Sequence, residues 1–222
     1  MRIAFLGKPK RSATTAASWL RNFAHFNGIE AVFPRDHFDV PECGLLVSFL
    51  YPMRIAPDVV ARAGLALNFH PAPLPRYRGL WGCSRAILDG ATKFGVTAHV
   101  LAPEIDAGDV VASLELGVLP EDTAATLDHR AQDMLFALFR DTMLRFAAGQ
   151  ALPRTPQTSD APKPPTRAEL EAMKEIFADD PAERVDRKAR AFWNPPYPGA
   201  RLRLGGEWFT VAPRVVAAGG TA

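Results

Sequence analysis

Residues 68–79 read Asn-Phe-His-Pro-Ala-Pro-Leu-Pro-Arg-Tyr-Arg-Gly and continue an apolar run that begins at Leu65. The run has the length of a strand, and three prolines after His70 stiffen the chain that leaves it. Asn68 and His70 are two positions apart, so their side chains point to the same side of an extended segment. The stretch predicts a strand that carries an amide and an imidazole at its carboxyl end.

Two shorter motifs follow. Residues 95–99 read Gly-Val-Thr-Ala-His, and residues 105–109 read Ile-Asp-Ala-Gly-Asp, which puts Asp106 36 positions after His70. Amide and imidazole donors aimed at one oxygen would stabilise negative charge developing there by roughly 3 to 4 kcal/mol each. Asp106, on a tight turn, would orient His70 or accept a proton through water. The combination suits acyl transfer to an amine.

Short apolar segments alternate with helical patterns around these motifs. The alternation predicts an α/β fold with a Rossmann-like, mostly parallel sheet, whose ligands bind beyond the carboxyl ends of the strands. The predicted strands are residues 2–6, 29–33, 44–50, 65–69, 94–101 and 110–116. The predicted helices are residues 13–26, 57–63, 83–88 and 122–148, the last with one apolar stripe.

The sequence changes character after Gln150. Residues 152–165 contain five prolines, which predicts an extended linker. Beyond it, a capping box of Thr166 and Glu169 opens a short helix, residues 182–192 predict another, and residues 202–211 predict a hairpin. We therefore expect a main domain at residues 1–150, and a linker with a small helix and hairpin extension at residues 151–222.

Composition limits the classes of partner. The chain has 222 residues, 48% of them hydrophobic, and 26 basic against 24 acidic side chains. The scattered net charge of +2 argues against nucleic-acid and membrane partners. Two cysteines are too few for a disulfide framework, and no run of about 18 apolar residues predicts a signal peptide or membrane span. A reducing, cytoplasmic location is expected.

Two other chemistries fit poorly. Residues 7–10 read Gly-Lys-Pro-Lys after the first strand, so the glycine-rich loop of dinucleotide-binding proteins is absent. The polar motifs also lack a tight pair of metal ligands, so we expect no metal ion. The candidate ligands considered are His70, His99, Asp106 and Asp109.

Taken together, residues 68–71, 74–79, 95–99 and 106–109 resemble the signature of the formyltransferases that use N10-formyltetrahydrofolate. The resemblance covers about residues 1–150 and implies a formyltransferase core there. It implies that the catalytic trio is Asn68, His70 and Asp106. It also implies N10-formyltetrahydrofolate as formyl donor, with its pterin ring in an apolar slot between two loops. The slot residues implied are Leu50, Tyr51 and Met53 in the first loop, and Leu101, Glu104 and Ile105 in the second.

Three branches of this family compete. Methionyl-tRNA formyltransferase carries a further RNA-binding domain, and the residues after Gln150 are too few and too weakly basic for one. Glycinamide ribonucleotide transformylase has a phosphate loop that residues 6–12 do not resemble. The sugar N-formyltransferases, which act on nucleotide-linked amino sugars, are similar at residues 48–52, 69–75 and 190–199. The resemblance therefore favours an enzyme of the sugar branch.

That interpretation also implies contacts and a partner. The residues expected to contact a nucleotide-linked substrate are Lys8, Arg76, Tyr77, Arg78 and Gly79. The aromatic tail would build a homodimer interface through the C-terminal extension or only seal the core; it includes Trp193, Tyr197 and Trp208. A different class stays open as well, a non-catalytic module that binds folate or nucleotide sugar, because fold does not fix function.

Overall fold

The main sheet has six strands in the order β2-β1-β3-β4-β5-β6. The structure is a computed structural model that describes residues 1–8, 10–158 and 160–214; Pro9, Ser159 and the end of the predicted extension lie outside the described residues. The strands are β1 (Arg2–Gly7), β2 (Glu30–Val32), β3 (Cys43–Phe49), β4 (Ala63–His70), β5 (Lys93–Val100) and β6 (Val110–Gly117).

The first four strands are parallel to one another, and β5 is antiparallel to both of its neighbours, β4 and β6. This confirms the mostly parallel α/β fold. The short connection from Val100 to Val110 explains the antiparallel pair, because a parallel neighbour would need a crossover of a dozen or more residues. Because β5 is antiparallel to β4, it ends with Val100 beside Leu67, so the loop that follows β5 begins next to Asn68.

Four helices cover the sheet, and their bounds are α1 (Arg11–Phe26), α2 (Pro57–Val60), α3 (Gly82–Leu88) and α4 (Ala124–Ala147). The helix predicted at 57–63 ends at Val60, because Ala63 already belongs to β4. A capping box of Thr123 and Thr126 starts α4. The predicted apolar stripe of α4 is buried except at Met134, which is half-buried. Its buried members are Leu127, Ala131, Leu135, Leu138, Phe139 and Met143.

Aromatic rings fill the space between α4 and the sheet. The fully buried ring of Phe139 has its centroid 5.8 Å from Phe5, 5.5 Å from Phe49 and 5.2 Å from Phe69. The ring of Trp19 in α1 also belongs to the cluster, with its centroid 5.7 Å from that of Phe139. All four pairs are edge-to-face, an arrangement that adds to the free energy gained by burial. The cluster supports β3 and β4, the strands from which the polar motif emerges.

The chain after Gln150 forms α5 (Arg167–Ala172), β7 (Glu175–Ile176), α6 (Ala182–Ala191), β8 (Ala200–Leu204) and β9 (Glu207–Val211). The capping box of Thr166 and Glu169 and the β8–β9 hairpin are confirmed. Strand β7 was not predicted, because two residues carry no periodic signal and the strand exists only through its pairing with β8. The division into two domains at Gln150 stays a prediction.

The apolar side chains of the segment after Gln150 differ in how far they are buried. Ile176 and Phe192 join the same apolar core as the main sheet. By contrast, Tyr197 and Trp208 are exposed, so they do not seal that core. Trp193 is half-buried. Within the described ranges, no helix combines the length and apolar character that crossing a membrane requires.

Candidate active site

The predicted trio meets at the carboxyl end of β4. Asp106 Oδ2 lies 3.5 Å from His70 Nδ1, and its Oδ1 lies 3.4 Å from Asn68 Nδ2. Asn68 and His70 come from one strand, and Asp106 comes from the loop between β5 and β6. The structure thus brings together three polar groups that are spread over 38 positions of the sequence.

The backbone of the loop delivers the Asp106 carboxylate. Asp106 has a φ of 52°, in the left-handed region that Asp and Asn enter more readily than most residues. Gly108 allows close approach, because a Cβ there would lie 1.9 Å from the Val100 carbonyl oxygen. From the other side, the N–H of Gly79 donates to Asp106 Oδ2 at 2.8 Å. The carboxylate is therefore held from two directions.

Two further side chains fix the amide of Asn68. Ser48 Oγ donates to Asn68 Oδ1 at 2.7 Å, and Asn68 Nδ2 donates to His99 Nε2 at 3.0 Å. Strand register places them, since Asn68 pairs with Ser48 on β3 and with His99 on β5. No positioning role was predicted for either residue, and only the register could have revealed it. The network leaves the amide nitrogen facing Asp106.

His70 is less accessible than a strand-end residue would be, with 7% of its surface exposed. Its Nε2–H donates to the carbonyl oxygen of Tyr77 at 2.9 Å, and its Nδ1 faces Asp106. The expectation that amide and imidazole N–H groups aim at one oxygen is therefore corrected. In this geometry the N–H of His70 is committed to the main chain, and Nδ1 is the nitrogen that can take part in proton transfer.

The electrostatics of the site favour an ionised Asp106 beside a neutral His70. Burial of Asp106 disfavours its charge, but the His99 contact, the positive charge that His70 carries when it is protonated at low pH, and the Gly79 N–H outweigh it and lower the pKa of Asp106 to about 2. Burial also lowers the pKa of His70, against the opposing pull of Asp106 and the Tyr77 carbonyl. Two proton acceptors therefore lie side by side at neutral pH.

The Asp106 shift predicts a pH-dependent stability. The pKa is lowered from 3.8 to about 2, so ionised Asp106 stabilises the fold above about pH 4 and this contribution is lost as the pH falls through 2. The shift corresponds to about 2 kcal/mol. Urea unfolding of wild type and Asp106→Asn should show that difference at pH 6 and almost none near pH 2. A difference that did not change with pH would contradict the assignment.

Gln157, on the segment after α4, holds the loop that carries Asp106. Its Nε2 donates to the carbonyl oxygens of Asp106 at 2.9 Å and Gly108 at 2.7 Å. Its Oε1 accepts from Arg78 Nε at 3.0 Å and from a terminal nitrogen of Arg78 at 2.7 Å. Thr155 anchors the same segment through two main-chain hydrogen bonds with Val110. Sequence analysis assigned this segment only to a linker, and no local pattern marks Gln157.

Replacing Gln157 by Ala is expected to lower kcat of the catalysed reaction by about 10-fold to 100-fold, because the Asp106 loop loses both donors and small displacements of catalytic groups are costly. Gln157→Glu is the matched comparison: a carboxylate still accepts from Arg78 but cannot donate to the two carbonyl oxygens. Steady-state kinetics should show both variants impaired. Full activity of Gln157→Glu would mean that only the Arg78 contact matters.

Comparisons with known proteins identify the family of the segment that contains this cluster. Residues 41–141 match the family model described as formyl transferase. This segment belongs to the formyl transferase family. A methionyl-tRNA formyltransferase of Burkholderia orbicola is 34% identical over 191 residues, which cover 85% of this chain and 54% of that protein. The chain spans about half the length of the curated relatives it matches.

Solved structures agree on the fold. A 4-N formyltransferase from Francisella tularensis superposes with a TM-score of 0.79 at 19% identity, covering 95% of this chain and 96% of that one. An N-formyltransferase from Helicobacter canadensis, in complex with folinic acid and dTDP-3-aminofucose, gives 0.72 at 17% identity, covering 92% and 84%. At these identities the likeness shows that the formyl transferase fold extends over nearly the whole described chain.

The two loops predicted to hold a pterin ring follow β3 and β5, the neighbours of the strand that carries Asn68 and His70. The first begins at Leu50, which has a φ of 53° directly after β3, and Arg54 ties it to the second by donating to the carbonyl oxygen of Pro103. Met53 and Ile105 are exposed apolar side chains on the two loops. This arrangement fits a flat heterocycle gripped at its faces.

The remaining slot residues differ in their surroundings. Leu101 and Tyr51 pack against a small apolar cluster on the strands β1, β3 and β4, and the hydroxyl of Tyr51 accepts from the N–H of His37 at 3.2 Å. Glu104 is exposed. The slot would therefore have an apolar floor and one exposed carboxylate at its rim.

The predicted substrate contacts divide into accessible and buried groups. Arg76 is exposed and pairs with Asp89 at 3.4 Å, and Lys8 is half-buried at the end of β1. Tyr77 corrects the prediction: only 2% of its surface is exposed, and its hydroxyl donates to Asp89 at 3.0 Å.

Two neighbours of Tyr77 also face inward. The guanidinium group of Arg78 is buried against Gln157, which corrects the prediction that Arg78 contacts a nucleotide-linked substrate. The N–H of Gly79 is held by Asp106. Arg78 and Gly79 therefore help to hold the loop that carries Asp106, because their polar groups are already paired within the protein.

Proposed function

We propose that this protein transfers the formyl group of N10-formyltetrahydrofolate to the amine of a nucleotide-linked amino sugar. The observation that carries the proposal is the Asp106 carboxylate, held ionised between Asn68 and His70 at the carboxyl end of β4. An amine that attacks a formyl carbon must lose a proton while charge builds on the formyl oxygen. In the cluster, Asp106 can accept the proton and the amide of Asn68 can donate to the formyl oxygen.

The formyl donor is proposed to bind between the loops at Leu50–Met53 and Leu101–Ile105. The exposed Met53 and Ile105 side chains fit a flat apolar ring, and the Arg54 contact with Pro103 keeps the two loops together. When bound, N10-formyltetrahydrofolate supplies the formyl carbon. Asn68 lies beneath these loops, where its amide can reach an oxygen at the end of β4.

The side chains of the trio have separate tasks in this proposal. Ser48 and His99 fix the amide of Asn68, and one N–H of that amide has only a long 3.4 Å contact with Asp106. That N–H can turn to the developing oxyanion, as preorganised donors do in acyl-transfer enzymes. The proton of the amine would pass to Asp106, directly or through water, and His70 Nδ1 lies close enough to share it. The same proton would then go to the donor nitrogen as its bond to the formyl carbon breaks, which releases tetrahydrofolate.

A nucleotide-linked amine is the acceptor that several observations support. The Helicobacter canadensis enzyme, which shares the fold over most of this chain, was crystallised with dTDP-3-aminofucose. The net charge of this chain is only +2, whereas RNA recognition usually needs many phosphate contacts. The curated relatives favour methionyl-tRNA as the alternative acceptor. The absence of a nucleic-acid or membrane partner, a cytoplasmic location and a homodimer through the C-terminal extension stay predictions.

A side-by-side assay tests the acceptor. With formyl donor in excess, the protein should formylate at least one member of a panel of nucleotide-linked amino sugars and leave methionyl-tRNA unmodified. Formylation of methionyl-tRNA with no turnover of any amino sugar would overturn the proposal in favour of the tRNA branch. Binding of donor and sugar nucleotide without any product would indicate a non-catalytic module.

Filling the slot tests the site of the donor. Met53→Trp is expected to weaken binding of folinic acid at least about 10-fold, because a bulky ring takes space meant for the pterin, and to spare nucleotide binding. Leu119→Trp, an exposed apolar site beyond β6, is the control and should leave both ligands unaffected. Fluorescence titration measures both affinities. Equal losses for folate and nucleotide would contradict the placement.

A further inference from the structure

A cavity of about 790 Å³ lies between α3, α6 and the segment around Pro162, outside the Asn68, His70 and Asp106 cluster. Four arginines line it, two from the side of the main sheet and two from α6; they are Arg76, Arg85, Arg184 and Arg187. Apolar side chains form much of the remaining wall, including Leu88, Met173 and Phe177. The volume is in the range of sites that hold nucleotides and cofactors.

The charge of this cavity is unbalanced. Five of its lining side chains are cationic and two, Asp89 and Glu183, are anionic. Lys188 is the buried cation and is neutralised by Asp180 at 2.7 Å. The excess positive charge therefore belongs to the arginines, in a chain whose overall formal charge is only +2.

Two of the arginines are held by exposed carboxylates that an anion can replace, whereas Arg184 pairs with the buried Asp180 at 3.3 Å. Arg187 pairs with Glu183 one helical turn away, and Arg76 pairs with Asp89 at 3.4 Å. The carboxylates of Asp89 and Glu183 are exposed, and exposed ion pairs add little to stability. Arg85 gives independent support for an anion site: among the residues that the structure describes, its buried Nε has no hydrogen-bond partner. Guanidinium groups of this kind bind phosphate oxygens in bidentate fashion.

We propose that this cavity is a second ligand site, which binds a phosphorylated compound with a flat ring, of the size of a nucleoside diphosphate. Its phosphates lie among Arg85, Arg184 and Arg187, and its ring packs on Phe177 and Met173. The site goes beyond the formyl transfer proposed above and shares none of the catalytic trio. Arg85, one of the wall residues, donates to the carbonyl oxygen of the Arg78–Gly79 peptide group. The N–H of that peptide group donates to Asp106.

Calorimetric titration with uridine diphosphate, inorganic pyrophosphate and uridine tests the site. The double variant Arg184→Ala/Arg187→Ala removes two cavity cations. Arg145→Ala is the matched control, because it also breaks an i,i+4 ion pair on a helix, with Asp141, but lies outside the cavity. A third variant, Asp106→Asn, alters the catalytic cluster and leaves the cavity intact.

The wild type should bind uridine diphosphate more tightly than pyrophosphate, and uridine weakly or not at all. The double variant should lose at least about 10-fold in affinity for one uridine diphosphate site, whereas Arg145→Ala and Asp106→Asn keep it. Unchanged affinity and stoichiometry in the double variant would overturn the proposal. So would equal binding of pyrophosphate and uridine diphosphate, which would leave the apolar wall without a role. Because no formyl transfer is measured, failure here is distinguishable from failure of the proposed reaction.

Discussion

Replacing Asp106 by Asn is expected to lower kcat/KM for formyl transfer by about 10²-fold to 10⁴-fold, the range that a positioned proton acceptor contributes. Asparagine tolerates the left-handed backbone of this position and keeps the shape of the side chain, so the loop should keep its path. The substitution removes the negative charge of the carboxylate, which the pKa near 2 keeps ionised at neutral pH. Steady-state kinetics with saturating donor measures the effect.

His70→Gln is the companion variant. The amide of glutamine can still donate to the carbonyl oxygen of Tyr77, as Nε2 of His70 does, but it has no nitrogen that accepts a proton. Because His70 is buried, this replacement separates loss of chemistry from loss of packing better than Ala would. Its kcat/KM should fall by a similar factor.

The control for both is Asp109→Asn, a carboxylate removed three positions further along the same loop. That variant should keep near wild-type activity, and all three should have wild-type circular dichroism. Near wild-type kcat/KM in Asp106→Asn or His70→Gln would show that the trio is wrongly assigned.

Phe139→Ala is expected to lower the free energy of unfolding by about 3 to 5 kcal/mol. The ring is fully buried and meets Phe5, Phe49, Phe69 and Trp19 edge to face, so truncation leaves a cavity that rigid neighbours cannot close. A loss of this size is a large fraction of the total stability of a domain. Urea unfolding followed by fluorescence measures it.

Phe26→Ala is the matched control, because Phe26 ends α1 with 84% of its surface exposed. Its effect should stay within about 0.5 kcal/mol. Equal effects of the two substitutions would mean that the aromatic cluster does not support the sheet as described.

The trio was accessible from the sequence because its signals are local or carried by a motif. Asn68 and His70 share a strand, so period-two alternation puts them on one side. Asp106 sits in an Asp-Ala-Gly turn, and its 36-residue distance from His70 carried the family resemblance. The partners Ser48 and His99 were not accessible, because their roles follow from the pairing of β3, β4 and β5.

The amino-acid pattern alone determined the alternation of strands and helices, the apolar stripe of α4, the capping box at Thr166 and the grouping of polar residues at one strand end. These features depend on neighbours a few positions apart. Only the tertiary structure decided that Tyr77 turns to Asp89, that Arg78 is buried, and that Gln157 clamps the loop. The contacts of Gln157 join residues 51 and 79 positions apart. Periodicity carries no information at that range, where packing of the whole chain selects which polar groups meet.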